Sequence, residues 1–253
     1  MTQNEILKGA VRADEKYKPR LIVAPEGIDG AGKTYWSLTA PGAIAVLSID
    51  TGLEGVIEKF AKEKEIFIFD YLADWLNIDV NSEMESQEVK DICTPIWERI
   101  KEDFANSLAS PLIRTVILDT ATELYDVARY AMIGRLALPK EYAYKYGPVN
   151  LEYTRMIKRA YNTGKTLVLN HRMKEQYIDD KATGKMILAG CTKLPYEVQA
   201  RIRLYNDEGE FSLKIIKCRH NGSLVGMELE GDSCNFTQLA MMLFPDTKEE
   251  DWQ

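Results

Sequence analysis

Histidine and cysteine are both scarce. There are two histidines in 253 residues, and the four cysteines, Cys93, Cys191, Cys218 and Cys234, show no C-x-x-C spacing. This set lacks the ligands of a structural zinc site and the framework of a disulfide-stapled domain, so the cysteines read as reduced thiols. No apolar run approaches the roughly 18 to 20 residues that a membrane helix needs, and the opening MTQNEILKGAVRADEKYKPR has no apolar centre of a secretory signal. A cytoplasmic protein with no membrane partner is expected. Polar low-complexity tracts and repeats of 20 to 50 residues are also missing, which leaves one globular α/β unit with a sizeable core.

A general cationic coat is absent too, since the net charge is -7. The average hides a segregation, however. Residues 155 to 219 hold 14 Lys and Arg against 7 Asp and Glu, a local +7 that leaves -14 for the rest. One basic face that meets a polyanion is compatible with that distribution, and so are scattered solvated lysines.

What the chain does have is EGIDGAGKT, Glu26 to Thr34, which fits G-x-x-x-x-G-K-[ST]. Leu21 to Ala24 precede it as a buried strand and TYWSLTA opens a helix after it, the context a phosphate loop requires. Gly27, Gly30 and Gly32 permit turns that aim consecutive N–H groups at phosphate oxygens at a helix N-terminus. The expected nucleotide contacts run through Gly27, Ile28, Asp29, Gly30, Ala31, Gly32, Lys33, Thr34 and Tyr35. Lys33 would reach the β and γ phosphates and the Thr34 hydroxyl would coordinate Mg²⁺. Asp119 ends the apolar strand TVILD, where a carboxylate can hold that magnesium. ATP and Mg²⁺ are therefore the expected cofactors.

Along the chain, AIAVLSID and EIFIFDY read as strands and EGVIEKFAKE as a short helix between them. Residues 73 to 95 read as an acidic excursion ending near Pro95, before a helix over IWERIKEDFANSL. Apolar residues at 124, 127, 128 and 131 repeat at helical spacing. PKEYAYKYGPVN reads as a loop, LEYTRMIKRAYNTG as a basic amphipathic helix and KTLVLNH as a strand. A polar loop, DDKATGK, leads to alternating strands through ARIRLYND and EFSLKIIKCRHNG. The expected fold is α/β, a mostly parallel central sheet with helices on both faces and C-terminal antiparallel strands. The expected division is an arm over 1–20, an ATPase core over 21–240 and an acidic tail over 241–253.

EGIDGAGKT closely resembles the phosphate loop of thymidylate kinases. That family also carries an EPGG-type segment after its second strand and an Asp-Arg pair near mid-chain. Here the second strand runs into IDTGLEG, and Asp119 is followed by Thr120. A nucleoside monophosphate kinase stays an alternative on those nine residues. The rest of the chain resembles the RecA superfamily, in particular compact phage-encoded ATPases that pair and anneal single-stranded DNA. VILDTATEL, LVLNHRMK, TKLPYEVQARIRL and LKIIKCRHN resemble that superfamily's successive segments, in order, over residues 21 to 222.

The resemblance implies a RecA-like core that assembles head to tail, as ring or filament, with ATP between subunits. It implies that His171 stands at the γ-phosphate sensor, usually Gln. Lys217 and Arg219 would reach the neighbouring subunit's nucleotide, where positive charge offsets charge developing on the transferred phosphate. The superfamily's hydrolytic glutamate, two residues after the Asp of the second strand, falls on Gly52. Glu54 is the expected substitute, with Glu26 or Glu123 as alternatives. By position, Lys140, Tyr142, Tyr144, Lys145 and Tyr146 correspond to the first DNA-binding loop, where tyrosines stack on bases and lysines neutralise phosphates. Arg172, Lys174, Lys181 and Lys185 correspond to the second. The expected activity is a DNA-dependent ATPase that promotes annealing or recombination. The remaining alternative is a loader or scaffold ATPase for a replication helicase, with a single-strand-binding or replication protein as partner.

Overall fold

The computed structural model describes residues 19–76, 85–179 and 181–252. Its first strand β1 (Ile22–Glu26) is fully buried and leads into α1 (Lys33–Leu38) and β2 (Ala43–Ser48). β3 (Ile66–Asp70) and α2 (Leu72–Leu76) follow, then α3 (Ser86–Ala109), β4 (Ile113–Asp119), α4 (Ala121–Ile133), α5 (Tyr146–Arg159) and β5 (Thr166–Leu169). The last part runs through β6 (Met173–Ile178), β7 (Lys181–Leu188), α6 (Leu194–Glu197), β8 (Ala200–Asp207), β9 (Glu210–Cys218), β10 (Glu228–Glu230) and α7 (Phe236–Leu243).

Eight strands form one sheet in the order β10-β9-β8-β1-β5-β4-β2-β3, and β6 pairs with β7 in a separate hairpin. From β3 across to β8 the pairings are parallel, whereas β8, β9 and β10 are antiparallel. This is the expected α/β class with its antiparallel extension. Strand side chains alternate between two cores, as a pleat demands. Ile22, Ala24, Val116 and Leu118 face α3, α4 and α5, while Leu21, Val23 and Ile117 face Trp36 of α1 and Phe236 and Leu239 of α7.

Four local expectations are corrected. The helix before β4 begins at Ser86 and carries Pro95 inside it. Proline removes one backbone donor there, but Val89, Cys93, Trp97, Ile100 and Phe104 recur on one buried face and hold the turn together. Of the excursion expected over 73 to 95, residues 77–84 lie outside the described residues. EGVIEKFAKE contracts to a 3-10 turn at Ile57–Lys59, after Gly55 takes a left-handed φ of 76°. PKEYAYKYGPVN is ordered as a 3-10 helix over Lys140–Lys145 followed directly by α5. Pro148 is tolerated there because the first turn of a helix has no carbonyl to receive its missing N–H. Of the expected loop DDKATGK, Asp180 lies outside the described residues and KATGK opens the second strand of the β6–β7 hairpin, bonded from Met173↔Leu188 to Ile178↔Lys181.

Residues 1–18 of the expected arm lie outside the described residues, and Arg20 is already buried. At the other end, residue 240 falls inside α7. Trp252 is buried, with its ring 5.4 Å from that of Phe244 and 6.1 Å from that of Phe236.

Candidate functional site

The C-terminal ends of β1, β2, β4 and β5 converge at one edge of the sheet, where open α/β sheets gather ligands. β1 delivers Glu26 and then the glycine-rich turn. Gly30 and Gly32 take left-handed φ values of 73° and 84°. A Cβ on Gly32 would also sit 2.5 Å from the Phe211 ring, so backbone and neighbour both demand glycine. Phe211 in turn stacks on Tyr35, with centroids 5.6 Å apart and planes 5° from parallel.

Lys33 opens α1, and its ammonium donates to Gly27 O at 3.1 Å and Ile28 O at 2.8 Å. Burial lowers the affinity of that amine for its proton, and Asp119 opposes the effect. The Thr34 hydroxyl donates to Asp119 Oδ2 at 2.8 Å. Asn170 Nδ2 donates to Asp119 Oδ1 at 3.1 Å, and Ser37 Oγ donates to Asn170 Oδ1 at 2.7 Å. Asp119 is thus held on both oxygens at the end of β4. Its burial raises the carboxyl pKa, against the pull of the Thr34 and Asn170 hydrogen bonds. A hydroxyl beside a carboxylate is the hard-oxygen donor set that suits Mg²⁺. Mg²⁺ takes few protein ligands and completes its shell with phosphates and water. Among the described residues no cluster of three His, Cys, Asp or Glu forms a self-sufficient metal cage.

Beside the loop lies a cavity of about 440 Å³ whose walls include Gly27, Asp29, Lys33, Asp50, Thr51, Thr120 and Arg172. Arg172, expected in a DNA-binding loop, lines this cavity. One guanidinium nitrogen meets Asp50 Oδ2 at 3.0 Å and the other meets Glu123 Oε1 at 2.9 Å. Glu123 is fixed by a capping arrangement, since Thr120 Oγ1 accepts from Glu123 N at 3.2 Å at the start of α4. Burial raises the Glu123 pKa, Arg172 opposes that rise and Asp50 adds to it.

The candidate bases now separate. Glu54 is exposed at the end of a 3-10 turn and lines no part of the cavity, which corrects the expectation placed on it. Gly52 is the position that lies against the site, because a Cβ there would stand 3.4 Å from Thr34 Oγ1. Glu26 is fully buried and both its oxygens are taken. Arg201 Nη2 lies 2.5 Å from Oε2, and Arg203 donates to Oε1 from Nε at 3.0 Å and Nη2 at 2.6 Å. Asp29 and Asp50 are the carboxylates of the cavity wall, and Glu123 adjoins it through Arg172 and Thr120, which line it.

His171 does not line the cavity. Its ring is fully buried, with Nδ1 3.0 Å from Ala189 O and 3.2 Å from Thr122 Oγ1. A carbonyl only accepts, so Nδ1 carries the proton and the buried Nε2 is left bare. Burial pushes the imidazole pKa down to about 4. The polar residue that does reach the phosphate side of β5 is Asn170, which sequence reading passed over. Its signal was a polar residue directly after the buried run Leu167 to Leu169.

Lys217 donates to Val198 O at 2.9 Å and to Pro195 O, and Arg219 donates to Tyr196 O, so both cations grip the turn at α6 of their own chain. Of the first-loop residues, Tyr142 and Tyr144 are exposed, and the Lys145 ammonium lies 5.0 Å from the Tyr142 ring centre. Lys140 is exposed at the start of the same turn. Tyr146 is committed to packing, since its hydroxyl accepts from Leu138 N at 2.9 Å and donates to Leu136 O at 3.1 Å. Lys174, Lys181 and Lys185 are exposed on the β6–β7 hairpin together with Tyr177 and Ile178. No helix among the described residues is long and apolar enough to cross a membrane. All four cysteines are buried and unpaired.

A family described as an AAA domain matches residues 20–215, which span β1 through most of β9 and include every side chain at the cavity. No curated protein matches the chain.

Proposed function

The chain belongs to the AAA-domain family of P-loop ATPases, and from that premise we propose a Mg²⁺-dependent, DNA-stimulated ATPase with a RecA-like mode of action on single-stranded DNA. The observation that carries the nucleotide reading is the 2.8 Å bond between Thr34 and Asp119, which sets a hydroxyl and a carboxylate together beneath the phosphate loop. When bound, MgATP would supply the electrophilic phosphorus, and its Mg²⁺ would offset charge on the phosphate oxygens. Lys33 exchanges its bonds to Gly27 O and Ile28 O for phosphate oxygens. Thr34 and Asp119 would hold the Mg²⁺, with Asp119 kept oriented by Asn170. Glu123, with its pKa raised, is the residue suited to take a proton from the attacking water.

The DNA reading is supported by the direct run of chain from Arg172 at the cavity into the β6–β7 hairpin with Lys174, Lys181 and Lys185. Tyr142 and Tyr144 supply exposed aromatic faces on a second surface. Backbone grip and stacking, with no arrangement that reads base edges, fit an annealing or accessory recombination role on DNA of any sequence. Lys217 and Arg219 would act across a head-to-tail subunit contact by giving up their bonds to the Pro195, Val198 and Tyr196 carbonyls of their own chain. Such a role is consistent with a phage-encoded protein. Steady-state ATP turnover with and without single-stranded DNA, with dTMP in parallel, tests the proposal. Stimulation by DNA is the expected result, and turnover that depends on dTMP and ignores DNA would replace it with a kinase.

A further inference from the structure

We propose that Arg172 is the residue that distinguishes a triphosphate from a diphosphate, by exchanging its two carboxylate partners for the terminal phosphate and so releasing Glu123 to act on water. This inference rests on the nucleotide reading given above and assigns a regulatory exchange within that same site.

Three features carry it. First, the Arg172 backbone is fixed by hydrogen bonds, while its side chain is held by two ion pairs at a half-exposed position. Its N–H donates to Thr122 Oγ1 at 3.1 Å and its carbonyl accepts from Ala189 N at 2.9 Å, yet the side chain is 49% exposed. A guanidinium on a fixed stem at a cavity wall can change partners without moving the strand. Second, its partners adjoin the nucleotide site, Asp50 in the cavity wall and Glu123 on the helix that Thr120 of that wall caps. Asp50 follows the end of β2 and Glu123 sits in the first turn of α4, so one cation holds two elements that flank the phosphate loop. The planar fork that spans two carboxylates also matches the oxygens of a phosphate. Third, the exchange has a consequence for chemistry. While Arg172 holds Glu123, the guanidinium lies 2.9 Å from Oε1 and its positive charge disfavours proton uptake by that carboxylate. A phosphate that captures the guanidinium releases Glu123 Oε1 to accept a proton, while the Thr120 hydroxyl stays 3.5 Å from Oε2. Because β6 begins at Met173, the same exchange occurs at the root of the hairpin.

The test measures affinity for ADP and for a non-hydrolysable ATP analogue, each with Mg²⁺, in the wild type, Arg172→Ala, Asp50→Asn and the double variant. Thermal unfolding confirms that each is folded. The exchange predicts that Arg172→Ala keeps its ADP affinity and loses about tenfold in preference for the analogue. Asp50→Asn, which removes a competitor for the guanidinium, raises that preference severalfold, and the rise vanishes in the double variant. A purely structural role for the ion pair would not produce a gain in Asp50→Asn that depends on Arg172. Unchanged preference in Arg172→Ala, or a rise in Asp50→Asn that survives in the double variant, overturns the inference while leaving the nucleotide site intact. Failure of the wild type to bind either ligand would instead remove the reading on which it rests.

Discussion

Thr34 and Asp119 stand 85 residues apart in sequence and meet through a 2.8 Å hydrogen bond. The contact joins the first turn of α1 to the last residue of β4, two strands from β1 in the sheet, with β5 between them. Asn170, just past the end of that intervening strand, completes the arrangement on the second oxygen of Asp119.

That arrangement makes Asp119→Asn informative. Both Asp119 oxygens accept, whereas an amide offers one acceptor and one donor, so its NH₂ would face either the Thr34 hydroxyl or the Asn170 amide. Asn170 is not free to turn over, because its oxygen accepts from Ser37. Turnover should fall about a hundredfold or more in Asp119→Asn, the scale of losing one preorganised electrostatic group. Steady-state kinetics at saturating Mg²⁺ checks it, and wild-type turnover would be contrary.

Glu26 should behave as a structural residue. It is fully buried between Arg201 and Arg203. Replacing it by Gln leaves two guanidinium groups without a counter-charge, at a cost of about 3 kcal/mol. Urea unfolding should show that loss. A variant of unchanged stability but with little turnover would restore Glu26 as the base.

The buried neutral ring of His171 predicts a pH dependence of stability. Its pKa falls from 6.5 to about 4 on folding, so between those values the unfolded chain binds the extra proton. The contribution of the neutral ring is complete above about pH 6.5 and is lost as pH falls toward 4, by up to about 3 kcal/mol. Urea midpoints at pH 7 and pH 4.5 should therefore drop further in the wild type than in His171→Gln. Equal drops would contradict the assignment.

On the DNA side, Lys181→Ala combined with Lys185→Ala should weaken binding to single strands of any sequence. The salt dependence should become shallower by about 0.7 in log–log slope per lysine that contacts phosphate. Tyr144→Ala, at the more exposed tyrosine, should cost about 1 kcal/mol of affinity through lost stacking. Tyr146→Ala should act on stability instead, because its hydroxyl ties Leu136 and Leu138. Fluorescence anisotropy over a salt series separates these outcomes, and an unchanged slope would remove the hairpin from the interface.

The parts of the molecule that were legible in sequence are those whose cause is local. The phosphate loop is written in contiguous glycines and ends in Lys33 and Thr34, and the strand before Asp119 is an unbroken apolar run. The start of α3, from Ser86 to Pro95, was hidden because Pro95 is a local stop signal, overridden by a buried face that forms only when the helix packs on the sheet. The hairpin was hidden because its strands are polar and exposed, without the alternation that one buried face imposes. The cavity contacts of Arg172 were hidden for a related reason. Its charge was visible, but its partners lie 122 and 49 residues away, at Asp50 and Glu123. His171 and Asn170 are neighbours in sequence, and only the strand register shows that Asn170 meets Asp119 while His171 turns to Ala189.

The most direct test of the central claim is calorimetric titration of ATP into the wild type and Lys33→Ala, each with Mg²⁺ and with EDTA. The account predicts Mg²⁺-dependent binding by the wild type and at least a hundredfold weaker binding by Lys33→Ala. Equal affinities in the two proteins, or binding indifferent to Mg²⁺, would contradict a phosphate site built on Lys33, Thr34 and Asp119.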